Sequence, residues 1–546
     1  MTHRPVRNGE IDVSGNTSRR TLLVGLDAAT WAVAEPLVAA GELPNLTSLV
    51  DEGTSGELRS TTPPMTPLAW TTMASGANPG KHGIYDFVTQ DRADYSIRPT
   101  SYSRMARPTV WDVFDAEDVS VGVVNYPMVS PPHEVDEFFI SGFPTPRDSR
   151  LAYPDAVQDY LDEVDYRVHP AVEPGDGATV YYEDVLDLSE TQCEVSIELL
   201  ERYDPDVLVS VFMAIDWIQH YLWDETIEGE NAVERCYRDM DAILGRLLDA
   251  VGDDWNVAVV SDHGARPIAG EVHLNSLLAE WGVLTRDSTD PSLAERIRDR
   301  LVTAVYSAGK RLPEPAKRRL RSLADESTLN EMREAAGLHQ LDMHREVDWP
   351  ETEAFAYGNM GRVFCNRSGL YPEGAVTNEN YEAIRDDLIE RFESLSHPET
   401  GEPLVQTVHR GETVYHGDRA DEGADLVVVP HDWRYMLSGD FGESWFDPDP
   451  DRDADHDPNG LFVLAGDDVP SGTVDADIAD VAPTLLALHG LPLIAGMDGS
   501  VLDEALVGEA SADLPTVSVE SLQTGESVRP EDAGNVEERL EDLGYL

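Results

Sequence analysis

Three continuous apolar runs of strand length each lead straight into an acid, and that recurrence constrains the fold more than any other feature of the chain. TLLVGL at 21–26 is followed by Asp27, VLVSVFM at 207–213 by Ala214-Ile215-Asp216, and VAVV at 257–260 by Ser261-Asp262-His263. A run with no polar residue at alternate positions fits a strand buried on both faces, and such strands belong to parallel sheets covered by helices. Helical apolar spacing is found between them at 28–40, 151–165, 183–203 and 231–251, the last with Cys236, Met240, Ile243, Leu244 and Leu247 on one side. Residues 120–126, 138–140 and 461–464 read as further strands, and 477–490 as a helix started by Pro483. The expected class is therefore α/β with a mostly parallel central sheet. Open sheets of this kind gather ligands at the carboxyl ends of their strands, where Asp27, Asp216, Asp262 and His263 stand.

A second stretch bears on chemistry. In Thr61–Phe87, TTPPMTPLAWTTMASGANPGKHGIYDF, Thr66 lies between Pro63-Pro64-Met65 and Pro67. Prolines fix the backbone and remove N–H donors, so a stiff strand-to-helix turn is expected, with the hydroxyl held outward and exposed like a nucleophile. A Pro-rich loop with a passive threonine is the competing reading. Asp216 and His220 are four apart and share one face if a helix starts after the strand, which makes two arms of a metal site. Asp27 and Asp216 as plain helix caps, with His220 on the surface, are the ordinary alternatives. Gly264 is expected to let the chain leave β geometry after Asp262-His263. His456 stands in an acid-rich stretch, 447–459, expected to be a loop. Jointly, Asp27, Thr66, Asp216, His220, Asp262, His263 and His456 supply enough ligands for two divalent ions. Imidazole with carboxylate and no thiolate favours zinc, with manganese as the alternative.

Composition enters mainly through charge. The 546 residues include 104 Asp+Glu against 40 Lys+Arg, a formal net charge of −64, with lysine only at Lys81, Lys310 and Lys317. The acids run along the whole chain, which reads as solvation in high salt, where short screening lengths tolerate such self-repulsion. Nonspecific binding of nucleic acid or anionic membrane through the bulk surface is not expected. Cys193, Cys236 and Cys365 form neither a disulfide framework nor a zinc–thiolate site. No stretch reaches the roughly 20 apolar residues that span a bilayer. Ser18-Arg19-Arg20-Thr21-Leu22-Leu23 looks like a twin-arginine export signal, but Asp27 interrupts its apolar run, so a cytoplasmic protein is expected.

The α/β rhythm suggests a polar lead-in at 1–18, a core formed by 19–275 and 440–512, an inserted α+β and helical cap at 276–439, and an acidic tail at 513–546. The cap carries bases from Arg296 to Arg321, paired with acids or forming an anion-binding patch. The tail ends in a possible helix at 536–546.

The strand ending in Asp27, the Thr66 segment through Gly76 and Pro79-x-x-His82-Gly83-Ile84, the Asp216-x-x-x-His220 pair, Ser261-Asp262-His263-Gly264, and His456 ahead of Gly460-Leu461-Phe462 resemble, in this order, the alkaline phosphatase superfamily. Within it the type I phosphodiesterase/nucleotide pyrophosphatase branch is nearest. The resemblance covers about 20–275 and 440–500 and implies an alkaline-phosphatase-like three-layer αβα sandwich. It implies one metal on Asp216, His220 and His456, and a second on Asp27, Asp262, His263 and the Thr66 oxygen. Thr66 would be the nucleophile, through a threonyl-phosphate, acting on a small phosphate ester of diester type. Phe87 stands where nucleotide-cleaving members carry an Asn on the phosphoryl oxygen, and Thr66-Pro67-Leu68 does not supply the C/S-x-P-x-R motif of sulfatases. A phosphomonoesterase or phosphotransferase on the same site, and a non-catalytic metal-containing binding protein, are the alternatives.

Overall fold

The computed structural model describes residues 19–146, 149–287, 347–508 and 514–522. The expectations for the lead-in, the basic 296–321 segment and the terminal helix lie outside them. Among the described residues the largest sheet has ten strands, in the order Gly472–Thr473, Thr54–Arg59, Asn459–Ala465, Asn256–Val260, Thr21–Leu26, Val207–Phe212, Val121–Tyr126, Phe138–Ser141 and Ala152–Tyr153, with Ala476–Asp477 also paired to Thr54–Arg59. The five strands from Asn256–Val260 to Phe138–Ser141 pair in parallel, while Asn459–Ala465 and Ala152–Tyr153 run antiparallel to their neighbours.

The apolar runs are buried on both faces because side chains alternate across the sheet. Leu22, Val24, Leu26, Leu208, Phe212, Val257 and Val259 join one core with residues of the helices Trp31–Ala40, Pro44–Glu52, Ala178–Tyr203, Ala214–Leu222 and Ala232–Val251. Leu23, Val207, Val209, Val211, Ala258 and Val260 join a second core with Thr66–Ser75, Val110–Ala116 and Val481–Leu488. Helices thus cover both faces of the sheet, in three layers. Gly25 is needed for close approach: a Cβ there would run into the Trp70 ring.

Residues 354–430 include a separate antiparallel sheet, ordered Ala354–Ala356, Arg362–Cys365, Leu426–Pro430 and Val405–Arg410, beside the helix Tyr381–Glu393. A fully buried ion pair between Arg362 and Asp86 is one of its links to the segment before it in the chain. No helix among the described residues is long and apolar enough to cross a membrane.

Several local expectations are corrected. The 151–165 helix is confined to Asp155–Glu163, because Ala152–Tyr153 is taken up as an edge strand. The helix expected from 183 begins at Ala178, and the one expected from 477 begins at Val481 after a single 3-10 turn, Ile478–Asp480. His456 is not in a loop: Ala454–Asp457 is a buried strand antiparallel to Gly264–Pro267, with Ala265 opposite His456. Gly264 begins that pairing strand, and its missing Cβ matters because one would collide with the Asn459 carbonyl.

Candidate active site

At the carboxyl ends of three adjacent parallel strands the structure brings together Asp27, Asp216, Asp262 and His263, with His220, His456 and Thr66 closing around them. Local folding explains each position. Asp27 follows the Thr21–Leu26 strand and is not a helix cap, since Thr30 caps the next helix with its own hydroxyl. Asp216 is likewise inside its helix, Ala214–Leu222, whose cap is Met213, and one turn later comes His220. Asp262 and His263 follow the strand Asn256–Val260 after a single residue, Ser261. His456 is delivered by the Ala454–Asp457 strand through its pairing with the segment that begins at Gly264.

Thr66 is the first residue of the helix Thr66–Ser75, after an extended Met65 that offers no side-chain cap. The expected turn is present, but the hydroxyl is buried rather than exposed. Its Oγ1 lies 3.2 Å from His263 Nε2. A helix N-terminus directs N–H groups and the positive end of its dipole at whatever binds there, which suits an anion.

The three histidines share one orientation. His220 Nδ1 lies 2.8 Å from the Ala454 carbonyl, His456 Nδ1 2.8 Å from the Pro64 carbonyl, and His263 Nδ1 3.0 Å from the Gly264 carbonyl. A carbonyl only accepts, so each Nδ1 carries the proton and donates, and each Nε2 turns a lone pair inward. Two of these lone pairs face each other, His220 Nε2 and His456 Nε2 being 3.1 Å apart. The ligand atoms of Asp216, His220 and His456 lie within 4.8 Å of one another, and so do those of Asp27, Asp216 and His263. Asp216 therefore sits between the two groups, and Asp262 adjoins the second, its Oδ2 3.2 Å from His263 Nε2.

Without a cation this assembly is electrostatically frustrated. Burial, reinforced by the charges of Asp262 and Asp216, pushes the Asp27 carboxyl well above its ordinary range. Burial likewise pushes Asp262 up to about 7. Burial holds the His263 ring well below its usual value. Burial opposes ionisation of Asp216 as well, and positive charge or a proton at the Nε2 atoms of His220 and His456, the place a cation would take, is what holds that carboxylate well below the usual range. Asp27 Oδ1 and Asp262 Oδ2 are buried without a hydrogen-bond partner. Three carboxylates and three inward imidazole lone pairs in one dry site are a donor set that fits divalent cations, which would discharge the acids and fill the orphaned oxygens.

Supporting groups escaped the reading of the sequence. Trp70 Nε1 donates to Asp27 Oδ2 at 2.8 Å, fixing that carboxylate. Its place one helical turn after Thr66 could have flagged it, whereas the carbonyls that orient the histidines carry no side-chain signature. Phe87 is buried and meets Phe143 edge to face at 5.2 Å.

A profile of the family "type I phosphodiesterase / nucleotide pyrophosphatase" matches residues 21–459. Among solved structures, phosphonoacetate hydrolase from Sinorhizobium meliloti 1021 in complex with phosphonoformate is similar, with 14% identity and a TM-score of 0.53, covering 85% of this chain and 94% of that one. Its complex with phosphonoacetate gives 15% identity and the same TM-score. Human ectonucleotide pyrophosphatase/phosphodiesterase 5 covers 90% of this chain and 100% of its own, at 12% identity and a TM-score of 0.50. A search of curated protein sequences finds no match. At these identities the structural likeness speaks for the alkaline-phosphatase-like fold.

Proposed function

This chain belongs to the type I phosphodiesterase/nucleotide pyrophosphatase family, a family of phosphoric ester hydrolases, and we propose that it cleaves phosphoric diesters with Thr66 as nucleophile. The observation that carries the proposal is the placement of the Thr66 hydroxyl at a helix N-terminus, 3.2 Å from His263 Nε2 and within the cluster of buried acids and inward histidines. Asp216, His220 and His456 would hold one divalent ion, and Asp27, Asp262, His263 and the Thr66 oxygen the other, zinc suiting this donor set best and manganese next. Such ions supply the positive charge that lowers the pKa of a bound hydroxyl and offsets charge building on phosphoryl oxygens.

The protein's own part is positioning. The Thr66–Ser75 helix presents its N-terminus to the phosphoryl group, which aligns the Thr66 oxygen with phosphorus. In the first half-reaction the Thr66 Oγ1–P bond forms as the bond from phosphorus to the leaving oxygen breaks, and the proton given up by the Thr66 hydroxyl balances the one the leaving oxygen takes up to become an alcohol. In the second, water attacks the threonyl-phosphate, the Oγ1–P bond breaks and the hydroxyl is restored. Trp70 keeps Asp27 oriented throughout, and burial of the site strengthens each electrostatic contact. Phe87, packed on Phe143, has no amide to offer a phosphoryl oxygen, which weakens a nucleotide substrate and leaves the diester reading in place.

Metal analysis of the purified protein, followed by chromogenic diester and monoester assays in molar salt, tests the reading. Faster cleavage of the diester is expected. A faster monoester moves the assignment to a monoesterase or phosphotransferase, and bound metal with turnover of neither moves it to a binding protein.

A further inference from the structure

Ala28, the residue after Asp27, has a left-handed backbone (φ 59°) that alanine seldom adopts, because its Cβ crowds the following carbonyl. Glycine would take that conformation freely, yet an alanine stands there, fully buried. Residues other than glycine persist in this region only where their surroundings fix them, and such positions gather at functional sites. Here two hydrogen bonds do the fixing. The Ala28 N–H donates to Asp262 Oδ1 at 3.3 Å, and the Ala28 carbonyl accepts from Gln219 Nε2 at 2.9 Å.

Gln219 reaches Ala28 from the helix of the other ligand group. It lies on Ala214–Leu222, three residues after Asp216 and directly before His220, so its side chain leaves the helix beside the ligand face. Because a carbonyl only accepts, the Gln219 amide is turned with Nε2 toward Ala28 and Oε1 toward the Tyr237 hydroxyl, 3.5 Å away. That hydroxyl accepts the Thr30 N–H at 2.9 Å and keeps its one proton for Gln219. The donors therefore run in one sense, from Thr30 to Tyr237, from Tyr237 to Gln219 and from Gln219 to Ala28, whose own N–H goes to Asp262. All five residues are buried, where a hydrogen bond left unmade is costly. The chain ends on the second ligand group. The Ala28 N–H occupies Asp262 Oδ1 and leaves the unpartnered Oδ2 for an ion, while the backbone at Ala28 sets the direction in which its neighbour Asp27 points.

We propose that Gln219 is a positioning residue that couples the two ligand groups: from the helix carrying Asp216 and His220, it holds Ala28 in its left-handed conformation and so presets Asp27 and Asp262 for the second ion. The inference rests on the two-ion reading of the site.

The test measures zinc affinity against a competing chelator, on the full-length protein in molar salt. His456→Ala isolates the second ion and Asp262→Ala the first. Gln219→Met keeps the length of the side chain but cannot donate. Added to His456→Ala it is expected to weaken zinc about 10–100-fold, and added to Asp262→Ala by less than about threefold, as befits loss of a group that orients the ligands of one ion. Ala28→Gly, placed on top of Gln219→Met and His456→Ala, should recover part of the loss, since glycine stays left-handed without a partner. A general loosening of the fold would weaken both ions alike and would not be repaired by glycine. Where circular dichroism shows that Gln219→Met does not fold, Tyr237→Phe takes its place: it frees the Gln219 amide to turn and should weaken the second ion and not the first. No effect on the second ion, an equal effect on both, or no recovery with Ala28→Gly overturns the role of Gln219 and leaves the two-ion reading standing. A wild-type protein that binds no zinc or manganese overturns the two-ion reading itself, and this inference with it.

Discussion

His220 and His456 are 236 positions apart in the chain, yet their Nε2 atoms lie 3.1 Å from each other, each with a lone pair directed at the gap because its Nδ1–H is held by a backbone carbonyl. Two acceptors facing each other at that distance repel unless a cation lies between them. Asp216, whose Oδ1 is 3.1 Å from one ring and 3.6 Å from the other, adds the negative charge such a cation would need.

Metal removal should therefore be felt by the fold. Two equivalents of zinc or manganese are expected in the purified protein, and a chelator should lower the melting temperature by several degrees or more, since it leaves Asp27, Asp216 and Asp262 crowded in a dry site. Plasma mass spectrometry on His220→Ala and His456→Ala should show about one equivalent in each. Two equivalents in either variant would separate that histidine from metal binding.

Thr66→Ala should abolish turnover, by about 10⁴-fold or more in kcat, as removal of a nucleophile does in other hydrolases. Thr66→Ser, which keeps the oxygen, should retain measurable activity. The alanine variant should keep its circular dichroism and at least one metal ion, because Thr66 would give one ligand among several. Retention of more than a small fraction of wild-type activity removes Thr66 as nucleophile.

Much of the fold was legible because the informative strands are central. Thr21–Leu26 and Val207–Phe212 are flanked by strands on both sides and covered on both faces, so burial left them apolar apart from Thr21 and Ser210, and the acids after them stood out. His456 was harder. Its strand, Ala454–Asp457, lies outside the large sheet and reads ADHD, a polar sequence that exists as a strand only because the residues from Gly264 on pair with it. Propensity has no access to that partner. Burial of the Thr66 hydroxyl was equally hidden, since prolines report backbone stiffness and not what folds over the turn.

His82 is expected to make stability fall with acid. Its ring is fully buried, Nδ1 accepts the Ile84 N–H at 3.2 Å, and Nε2 therefore carries the proton and faces Thr72 Oγ1 at 3.1 Å. Burial, aided by the positive charge of Arg419, holds its pKa down to about 3 against 6.5 unperturbed. The unfolded chain then binds the extra proton first, so the contribution is whole above pH 6.5 and is lost as pH falls from there toward 3, on the order of a few kcal/mol. Urea unfolding at pH 7 and pH 5 should show a smaller pH slope in His82→Gln than in the wild type. Equal slopes would contradict the assignment.

Salt should matter throughout. With 104 acids against 40 bases, self-repulsion is screened within about 3 Å at 1 M salt but reaches about 30 Å at 0.01 M. The melting temperature is expected to drop steeply between those concentrations. A midpoint independent of salt would remove the high-salt reading of the composition.

The Asp86–Arg362 pair should be worth more to the fold than the exposed ion pairs. Arg362 comes from the separate antiparallel sheet, and its guanidinium also donates at 3.3 Å to the carbonyls of Tyr85, Asn359 and Tyr357. Asp86 lies in the motif segment ahead of Phe87 and accepts the Phe87 N–H at 2.5 Å. Burial lowers the Arg362 pKa only to about 10, so the group is charged at neutral pH. Arg362→Met leaves a carboxylate stranded in the interior and should destabilise by about 3–5 kcal/mol. Asp86→Asn combined with Arg362→Met should recover much of that loss, because neither charge then remains to be desolvated. Denaturant unfolding of the two single variants and the double variant gives the coupling directly. A cost for Arg362→Met below about 1 kcal/mol, the range of an exposed pair, would mean that water reaches the pair and that it does not tie the antiparallel sheet to the Asp86 segment.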